Sequence, residues 1–258
     1  MDTDDWIAVD VTGPIGQSPI VLVCEHASAF IPEEFGGLGL TRDAASSHAA
    51  WDIGALDVAK FLSSGLGAPL VAGRVSRLVY DCNRPLESAG AIPAKSEIYD
   101  VPGNVGLSDE ERQRRYDLIH QPFHAAVANI LFAQEQAMAR PPILVTVHSF
   151  TPVYNGVRRD LDIGYLFDSR PALAEAALTA EQGAGQFKAA LNEPYAPKDG
   201  VTHTLVLHGD SQGRENVMIE VRNDLIDTSK TAASVAAHLQ EVLTQAVAQI
   251  TETEGQAG

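Results

Sequence analysis

Short apolar runs alternate with longer stretches of helical periodicity along most of the chain. The apolar runs are rich in Val, Ile and Leu, which is typical of strands buried on both faces of a parallel sheet. We predict strands at residues 19–24, 69–82 (two strands around Gly73), 143–148, 162–167, 202–207 and 216–222, and helices at residues 42–64, 109–138, 171–191 and 230–250. This alternation predicts an α/β fold, with a mostly parallel, mixed sheet between helices on both faces in a three-layer arrangement.

Two segments modify this pattern. Residues 84–107 are rich in Pro, Gly and Ala without periodicity, and we predict a long loop of the kind that covers active sites. Pro122 interrupts the second helix, which is therefore expected to kink or to divide in two. The 258 residues are enough for one large core or two small ones, and we predict a single domain over residues 1–258.

The charge of the chain narrows the class of partner. A formal net charge of −16 repels nucleic acid and anionic lipid. The first residues lack the basic and apolar parts of a signal peptide, and no apolar run is long enough to span a membrane, so we expect a cytoplasmic protein. A small anionic substrate would need local positive charge, for which Arg77, Arg84, Arg158 and Arg159 are the candidates.

Metal-ligand residue types occur at the ends of predicted strands, where open α/β sheets build their sites. Glu25 and His26 follow the first strand, and His148 ends the strand at 143–148. His48 and Asp52 lie four residues apart on a predicted helix, on one face. Each feature alone is more often a satisfied polar residue. Together, His26, Asp52 and His148 predict a zinc site with an open position, with Glu25 and His48 as alternative ligands.

A carboxylate inside the last apolar strand also needs a physical explanation. Glu220 is either part of an internal ion pair with an arginine or a general base, because an unpaired buried carboxylate costs several kcal/mol. Asn83 and Arg84 could grip a substrate carboxylate through parallel hydrogen bonds, and Arg77 could reach an oxyanion. The same Asn-Arg-Pro pattern is equally compatible with a turn that carries a surface charge.

The chain resembles the N-formylglutamate amidohydrolase family over roughly residues 18–230. The matching pieces, in order, are VCEHASAFIP, HAAWDIGAL, SRLVYDCNRPL, YDLIHQPFH, VTVHSFTP, VRRDLDIGYLFD and ENVMIEVRNDLI. That family is related to the zinc carboxypeptidases and the aspartoacylase-like deacylases. The resemblance therefore implies an α/β fold in which two histidines and a carboxylate hold zinc.

The resemblance also implies roles for individual residues. The segment Asp81-Cys82-Asn83-Arg84 is similar to an Asp-x-Asn-Arg element that binds the substrate carboxylate in the relatives. By the same resemblance, Glu220 is expected to be the base, Arg77 to stabilise the oxyanion and Arg159 to contact the substrate acid.

This chain departs from its relatives at two places. Where the relatives have His-x-x-Glu, His26 is followed by Ala27, Ser28 and Ala29, so the third ligand is expected from elsewhere, at Asp52. Histidine-degrading members resemble a Thr-Asp-Trp-His pattern where this chain has Ala49-Ala50-Trp51-Asp52. The acyl acceptor is therefore not fixed as glutamate.

These expectations combine into one hypothesis of function. The chain is expected to be a zinc-dependent amidohydrolase that cleaves an N-formyl or other small N-acyl acidic amino acid. The alternatives are a related deacylase or carboxypeptidase-like enzyme with another acyl group, and a non-catalytic anion-binding protein. His120 and His124 are expected to be structural or to support a ligand, and a substrate contact from His203 or His208 stays open.

Overall fold

A seven-stranded mixed sheet forms the centre of the protein. The structure, a computed structural model, describes residues 6–257. Within them the strands are β1 (Val9–Thr12), β2 (Ile20–Cys24), β3 (Leu70–Gly73), β4 (Lys95–Ser96), β5 (Tyr99–Asp100), β6 (Ile143–Phe150), β7 (Val153–Tyr154), β8 (Val157–Arg158), β9 (Ile163–Leu166), β10 (Ala189–Leu191) and β11 (Asn216–Arg222). The order across the main sheet is β1-β3-β2-β6-β11-β9-β10.

The four inner strands β3, β2, β6 and β11 are parallel, as the sequence predicts. β1 is antiparallel to β3 at one edge, and β9 and β10 run antiparallel to β11 at the other. β4 with β5, and β7 with β8, form two separate hairpins. The predicted class, an α/β protein with a mostly parallel mixed sheet, is therefore confirmed.

Helices cover both faces of the sheet. Among the described residues the α-helices are α1 (Arg42–Ser46), α2 (Ala55–Leu66), α3 (Asp109–Arg115), α4 (Gln121–Met138), α5 (Ala172–Ala184) and α6 (Ser229–Ala257). α2, α5 and α6 pack together on one face, and α4 packs on the other. No helix within residues 6–257 combines the length and hydropathy needed to cross a bilayer.

Strand β2 shows why the apolar runs become the centre of the sheet. Val21 and Val23 point into the core under α4, whereas Leu22 points into the core under α2, α5 and α6. All three side chains are fully buried, and each contributes about 1.5–3 kcal/mol by leaving water. A strand covered on both faces needs apolar side chains at every position, which is the pattern that predicted it.

The predicted helix at residues 42–64 is wrong as one continuous element. α1 ends at Ser46, α2 begins at Ala55, and the chain between them turns. Gly54 has a φ of +80°, and a Cβ on it would approach the Ile226 carbonyl oxygen to 2.3 Å, so the turn requires glycine. His48 and Asp52 lie in this turn and do not share a helical face.

Two predicted strands are absent from residues 74–82 and 202–207. In the first segment the backbone N–H of Ser76 donates to the carbonyl of Phe30, and the chain turns away from the sheet. In the second, the chain forms a helical segment that buries Leu205 and exposes Val206 and Leu207, which is a helical pattern rather than an alternating one.

The remaining differences concern edges and lengths. β1 and β10 were not predicted, because they are short edge strands with partly exposed side chains. The predicted helix at residues 171–191 ends at Ala184, and its last residues form β10. The stretch at residues 109–138 is helical throughout, and a π-helical turn over Tyr116–His120 accommodates the missing N–H of Pro122.

Candidate active site

Three candidate functional side chains lie at the carboxyl ends of neighbouring strands. His26 lies with Glu25 in the turn that follows β2. His148 and Glu220 lie near the ends of β6 and β11. The parallel pairing of these two strands places Glu220 opposite His148. Paired positions of a sheet point to the same face, and here that face is the one packed under α4.

His26, Asp52 and His148 form a compact buried set. Nδ1 of His148 lies 2.8 Å from Oδ2 of Asp52, and Nδ1 of His26 lies 3.3 Å from the same oxygen. One ligand atom from each residue lies within 4.8 Å of the other two. Two ligands of a single tetrahedral zinc ion are about 3.4 Å apart. The three residues selected from the sequence therefore converge with spacings that suit a shared metal ion.

Backbone contacts hold Asp52 in this position. Its own N–H donates to the carbonyl of His26 over 3.0 Å, and the N–H of Ser149 donates to Oδ2 over 3.3 Å. Nη1 of Arg77 donates to Oδ1 over 3.1 Å. Asp52 therefore lies beside both histidines, although it is not on a helix as the sequence predicted.

The two alternative ligands lie outside this set. Nε2 of His48 lies 2.6 Å from Oε2 of Glu97, at the wall of the cavity described below. Oε2 of Glu25 lies 3.1 Å from Nε2 of His148, behind the ring. Glu25 is thus placed to support a histidine rather than to join the set.

Each histidine of the set has a carboxylate behind it. Oδ1 of Asp81 lies 2.7 Å from Nε2 of His26, and Glu25 occupies the corresponding place at His148. A carboxylate in this position fixes the orientation of an imidazole and increases the basicity of its other nitrogen. Both rings consequently present Nδ1 to Asp52. This role of Asp81 and Glu25 cannot be predicted from the sequence, since only the folded chain shows which side of each ring faces them.

Buried carboxylates are concentrated around the two histidines. Four carboxylates are buried here, Glu25, Asp52, Asp81 and Glu220, and Arg77 pairs with two of them, Asp52 and Asp81. Burial opposes the ionisation of these carboxylates, yet neighbouring charges outweigh it at Asp52 and Asp81, and the pKa of each is held well below its ordinary value. Burial alone would lower the pKa of His148, but Glu25 and Asp52 hold it well above its ordinary value. A divalent cation would balance this concentration of carboxylates.

Glu220 lines the cavity and keeps a free oxygen. Its side chain is buried, and its Oε2 has no hydrogen-bond partner among residues 6–257. Burial raises its pKa to about 7, against the opposing effect of His148. Arg222, the nearest candidate for an ion pair in the sequence, instead bonds with Asp162 and Asp224. The structure therefore favours a general base over an internal ion pair as the explanation of Glu220.

A cavity of about 610 Å³ opens onto the set. His26, Asp52, His148 and Glu220 line its floor, and three of the four candidate arginines line its walls: Arg77, Arg84 and Arg159. Arg158 is exposed on β8 and lies 3.9 Å from Asp160. The cavity therefore combines a metal-type set with local positive charge in a protein of strongly negative net charge.

Arg77 bridges two parts of this site. Its Nη1 donates to Asp52, and its Nη2 donates to Oδ2 of Asp81 over 2.8 Å. A guanidinium has five N–H donors, so others are left to face the cavity. One side chain thereby orients a carboxylate of the set and offers donors to a ligand.

The side chain of Asn83 is hydrogen-bonded to backbone. It lines the cavity, but its side-chain N–H donates to the carbonyl of Val201, and its oxygen accepts from the N–H of Thr204 over 3.0 Å. Its amide is therefore occupied in holding the backbone at residues 201–204. Arg84, next in the chain, donates to the carbonyl of Asp199 over 2.6 Å from the same wall.

Arg159 lies among aromatic rings. Its Nη1 donates to the Tyr195 hydroxyl over 3.1 Å, and its guanidinium carbon lies 4.5 Å from the Tyr154 ring centre and 4.9 Å from that of Tyr195. These contacts fix the plane of the guanidinium. Tyr195 was missed by the sequence analysis, because its Pro-rich surroundings carry no periodic signal.

A buried set of metal-ligand side chains, beside an unpaired carboxylate and an arginine-lined cavity, defines a hydrolase-type site on an α/β fold. The chain belongs to the N-formylglutamate amidohydrolase family, whose sequence model matches residues 18–227, and is accordingly an amidohydrolase. The resemblance drawn from the sequence is thus confirmed.

Solved structures share this fold. The gene product Atu2144 from Agrobacterium tumefaciens is 50% identical, with a TM-score of 0.92, over 95% of this chain and 97% of that one. The N-formylglutamate amidohydrolase from Ralstonia eutropha JMP134 is 18% identical, with a TM-score of 0.69, over 98% and 100% of the two chains, and shows that the fold is shared. No curated protein sequence gives a significant match.

Proposed function

We propose that the protein is a zinc-dependent enzyme that hydrolyses the amide bond of an N-formyl, or other small N-acyl, acidic amino acid. The products would be formate, or the corresponding acid, and the free amine. One observation carries the proposal: the convergence of His26, Asp52 and His148 beside the unpaired oxygen of Glu220, at the floor of an arginine-lined cavity.

The donor set suits zinc. His26 and His148 would bind through Nδ1 and Asp52 through Oδ2, since these atoms already face one another. Two nitrogens and a carboxylate with a further open position are the usual ligands of catalytic zinc. When bound, zinc lowers the pKa of water towards about 7 and polarises the carbonyl that is attacked.

Glu220 is proposed as the general base and then the general acid. Its pKa of about 7 allows it to take a proton from the attacking water near neutral pH and to return that proton to the leaving amine nitrogen. The free oxygen of Glu220 can accept this proton without first breaking another hydrogen bond. Arg77 is proposed to donate from its remaining N–H groups to the carbonyl oxygen as negative charge develops there.

Arg84 and Arg159 are proposed to bind the substrate carboxylate. Both line the cavity, and a guanidinium binds a carboxylate through two parallel hydrogen bonds. The aromatic rings around Arg159 restrict its guanidinium and so reduce the entropy lost on binding. Asn83 is proposed to contribute from its place in the same wall, with its amide also holding the backbone at Val201 and Thr204.

The size of the cavity favours a second candidate for the acyl group. A volume of about 610 Å³ is typical of sites for drug-sized ligands and exceeds the needs of a formyl amino acid. A related deacylase that accepts a larger acyl group is therefore the alternative within the same chemistry. A panel of formyl, acetyl, succinyl and peptide substrates separates the two.

The test is the Glu220→Gln variant. We expect unchanged zinc content and fold, with turnover of N-formylglutamate reduced about 10²- to 10⁴-fold, because the side chain keeps its shape but no longer accepts a proton. Glu97→Gln is the matched control, since Glu97 lines the same cavity but is paired with His48. Comparable turnover for Glu220→Gln and wild type would refute the base assignment.

Metal content tests the proposal against a binding protein. One zinc ion at the set, with loss of turnover on chelation and recovery on adding zinc, is the expected result. Binding of N-acyl amino acids without any turnover, in protein that holds zinc, would favour the non-catalytic alternative.

A further inference from the structure

A second group of buried histidines lies outside the site described above. The histidine cluster, as we call it, comprises His120 and His124 of the helical stretch at residues 109–138 and His203 and His208 of the facing helical segment. His120, His124 and His208 are buried, and His203 is partly exposed. The proposed reaction uses none of them.

The helix continues through Pro122, so His120 and His124 share one face. The π-helical turn Tyr116–His120 comes just before the proline, and the two imidazole ring centres are 4.1 Å apart. Nε2 of His120 lies 3.2 Å from Nε2 of His203. One ligand nitrogen from each of these three histidines lies within 4.8 Å of the others. Two imidazole nitrogens on one tetrahedral zinc ion are about 3.4 Å apart, which matches the observed contact.

The hydrogen-bond pattern determines which nitrogens carry lone pairs. Nε2 of His124 lies 2.8 Å from the carbonyl oxygen of Cys82, which only accepts, so this nitrogen carries the hydrogen. Nδ1 of His124 therefore carries the lone pair, which accepts a hydrogen bond from Nε2 of His208 over 2.9 Å. An imidazole held by a backbone carbonyl in this way is the usual arrangement of a metal-binding histidine.

The other rings contain polar atoms without partners. Nδ1 of His120 is buried and has no hydrogen-bond partner among residues 6–257, and the same holds for the nearby hydroxyl of Tyr80. Burial lowers the pKa of His120 and of His124 to about 3 and that of His208 to about 4. These imidazoles are therefore neutral near pH 7, which is the form that binds metals.

We propose that His120, His124 and His203 form a second metal site that binds a divalent transition-metal ion such as zinc. His208 lies against His124 and either orients it or completes the coordination. Nitrogen donors of this kind suit zinc, nickel, cobalt and copper rather than magnesium or calcium. This proposal changes the expectation from sequence, in which Pro122 between His120 and His124 favoured a structural role.

Such an ion would link the helical segment that contains His203 to the helical stretch that contains His120 and His124. His203 lies between Val201 and Thr204. The side chain of Asn83, in the cavity wall, is hydrogen-bonded to the backbone of both residues. Cys82, which orients His124, precedes Asn83 in the chain. The second ion would therefore stabilise the wall that carries Asn83 and would not take part in the reaction.

The experiment counts zinc ions per chain after dialysis in buffer with limiting free zinc. We expect two in the wild type, one in the His26→Ala/His148→Ala variant, and none when His203→Gln is added to that variant. His203 is partly exposed, so its replacement should leave the fold intact, as circular dichroism would show. His48→Gln, a histidine outside both groups, is the control and should leave the count at two.

Cobalt provides an independent spectroscopic measurement. With the first site removed, added Co²⁺ should give the visible absorption of a site with nitrogen ligands, and His120→Phe or His203→Gln should abolish it. Absence of bound zinc and of this absorption in His26→Ala/His148→Ala, or persistence of both after the loss of His203, would overturn the proposal. If only the active-site zinc were wrong, the wild type would hold one ion that His203→Gln removes, so the two proposals fail separately.

Discussion

Glu220→Gln should stabilise the metal-depleted protein at and above neutral pH. Burial raises the pKa of Glu220 from 4.5 to about 7, so between these values the folded state holds a proton that the unfolded state releases. The raised pKa means that stability falls as pH rises through this window, with the full cost present above pH 7. The difference between 4.5 and about 7, at about 1.4 kcal/mol per pH unit, corresponds to about 3 kcal/mol. Gln keeps the shape of the side chain and never ionises.

Urea unfolding of chelated wild type and variant measures this effect. The difference in the free energy of unfolding should be small at about pH 5 and should grow to about 3 kcal/mol at about pH 8. Glu175→Gln, on the exposed face of α5, is the control and should give a difference that does not change with pH. A pH-independent difference for Glu220→Gln, or a variant less stable than wild type at about pH 8, would refute the reasoning.

Three further changes test the site and the fold. Asp81→Asn should weaken zinc binding about 10- to 100-fold in a competition assay, because it removes the carboxylate behind a ligand imidazole. Arg84→Ala should raise KM about 10- to 100-fold for acidic N-acyl amino acids but not for their neutral amides, through loss of a charged hydrogen bond; equal effects on both would contradict the proposed contact. Gly164→Ala should lower the free energy of unfolding by about 1–3 kcal/mol in urea, since its Cβ would approach the Glu193 carbonyl oxygen to 1.9 Å.

The inner strands could be predicted because burial on both faces leaves a continuous apolar run. β2, β6 and β11 have that pattern, and the structure confirms each. The segment at residues 202–207 has the same composition, but its hydrogen bonds follow helical spacing and only one of its three aliphatic residues is fully buried. β-branched composition alone therefore does not separate a buried strand from a short surface helix.

The site could be predicted to the extent that it depends on strand ends. His26, His148 and Glu220 belong to neighbouring parallel strands, and parallel strands bring their carboxyl ends to one edge. The supporting roles of Asp81 and Glu25 depend on which nitrogen of each imidazole faces inward, and that is decided by the tertiary packing. The same limit applied to His124, whose lone pair is identified only by its contact with the Cys82 carbonyl.

The pairing of β11 with β6 over seven residues restricts where insertions and deletions can occur. Because successive side chains of a strand alternate in direction, inserting or deleting one codon upstream within β11 would carry Glu220 to the opposite side of the sheet, among the aliphatic residues. Exposed connections such as residues 139–141 face no such restriction. Length changes in homologous enzymes should therefore accumulate in the connections and spare these two strands.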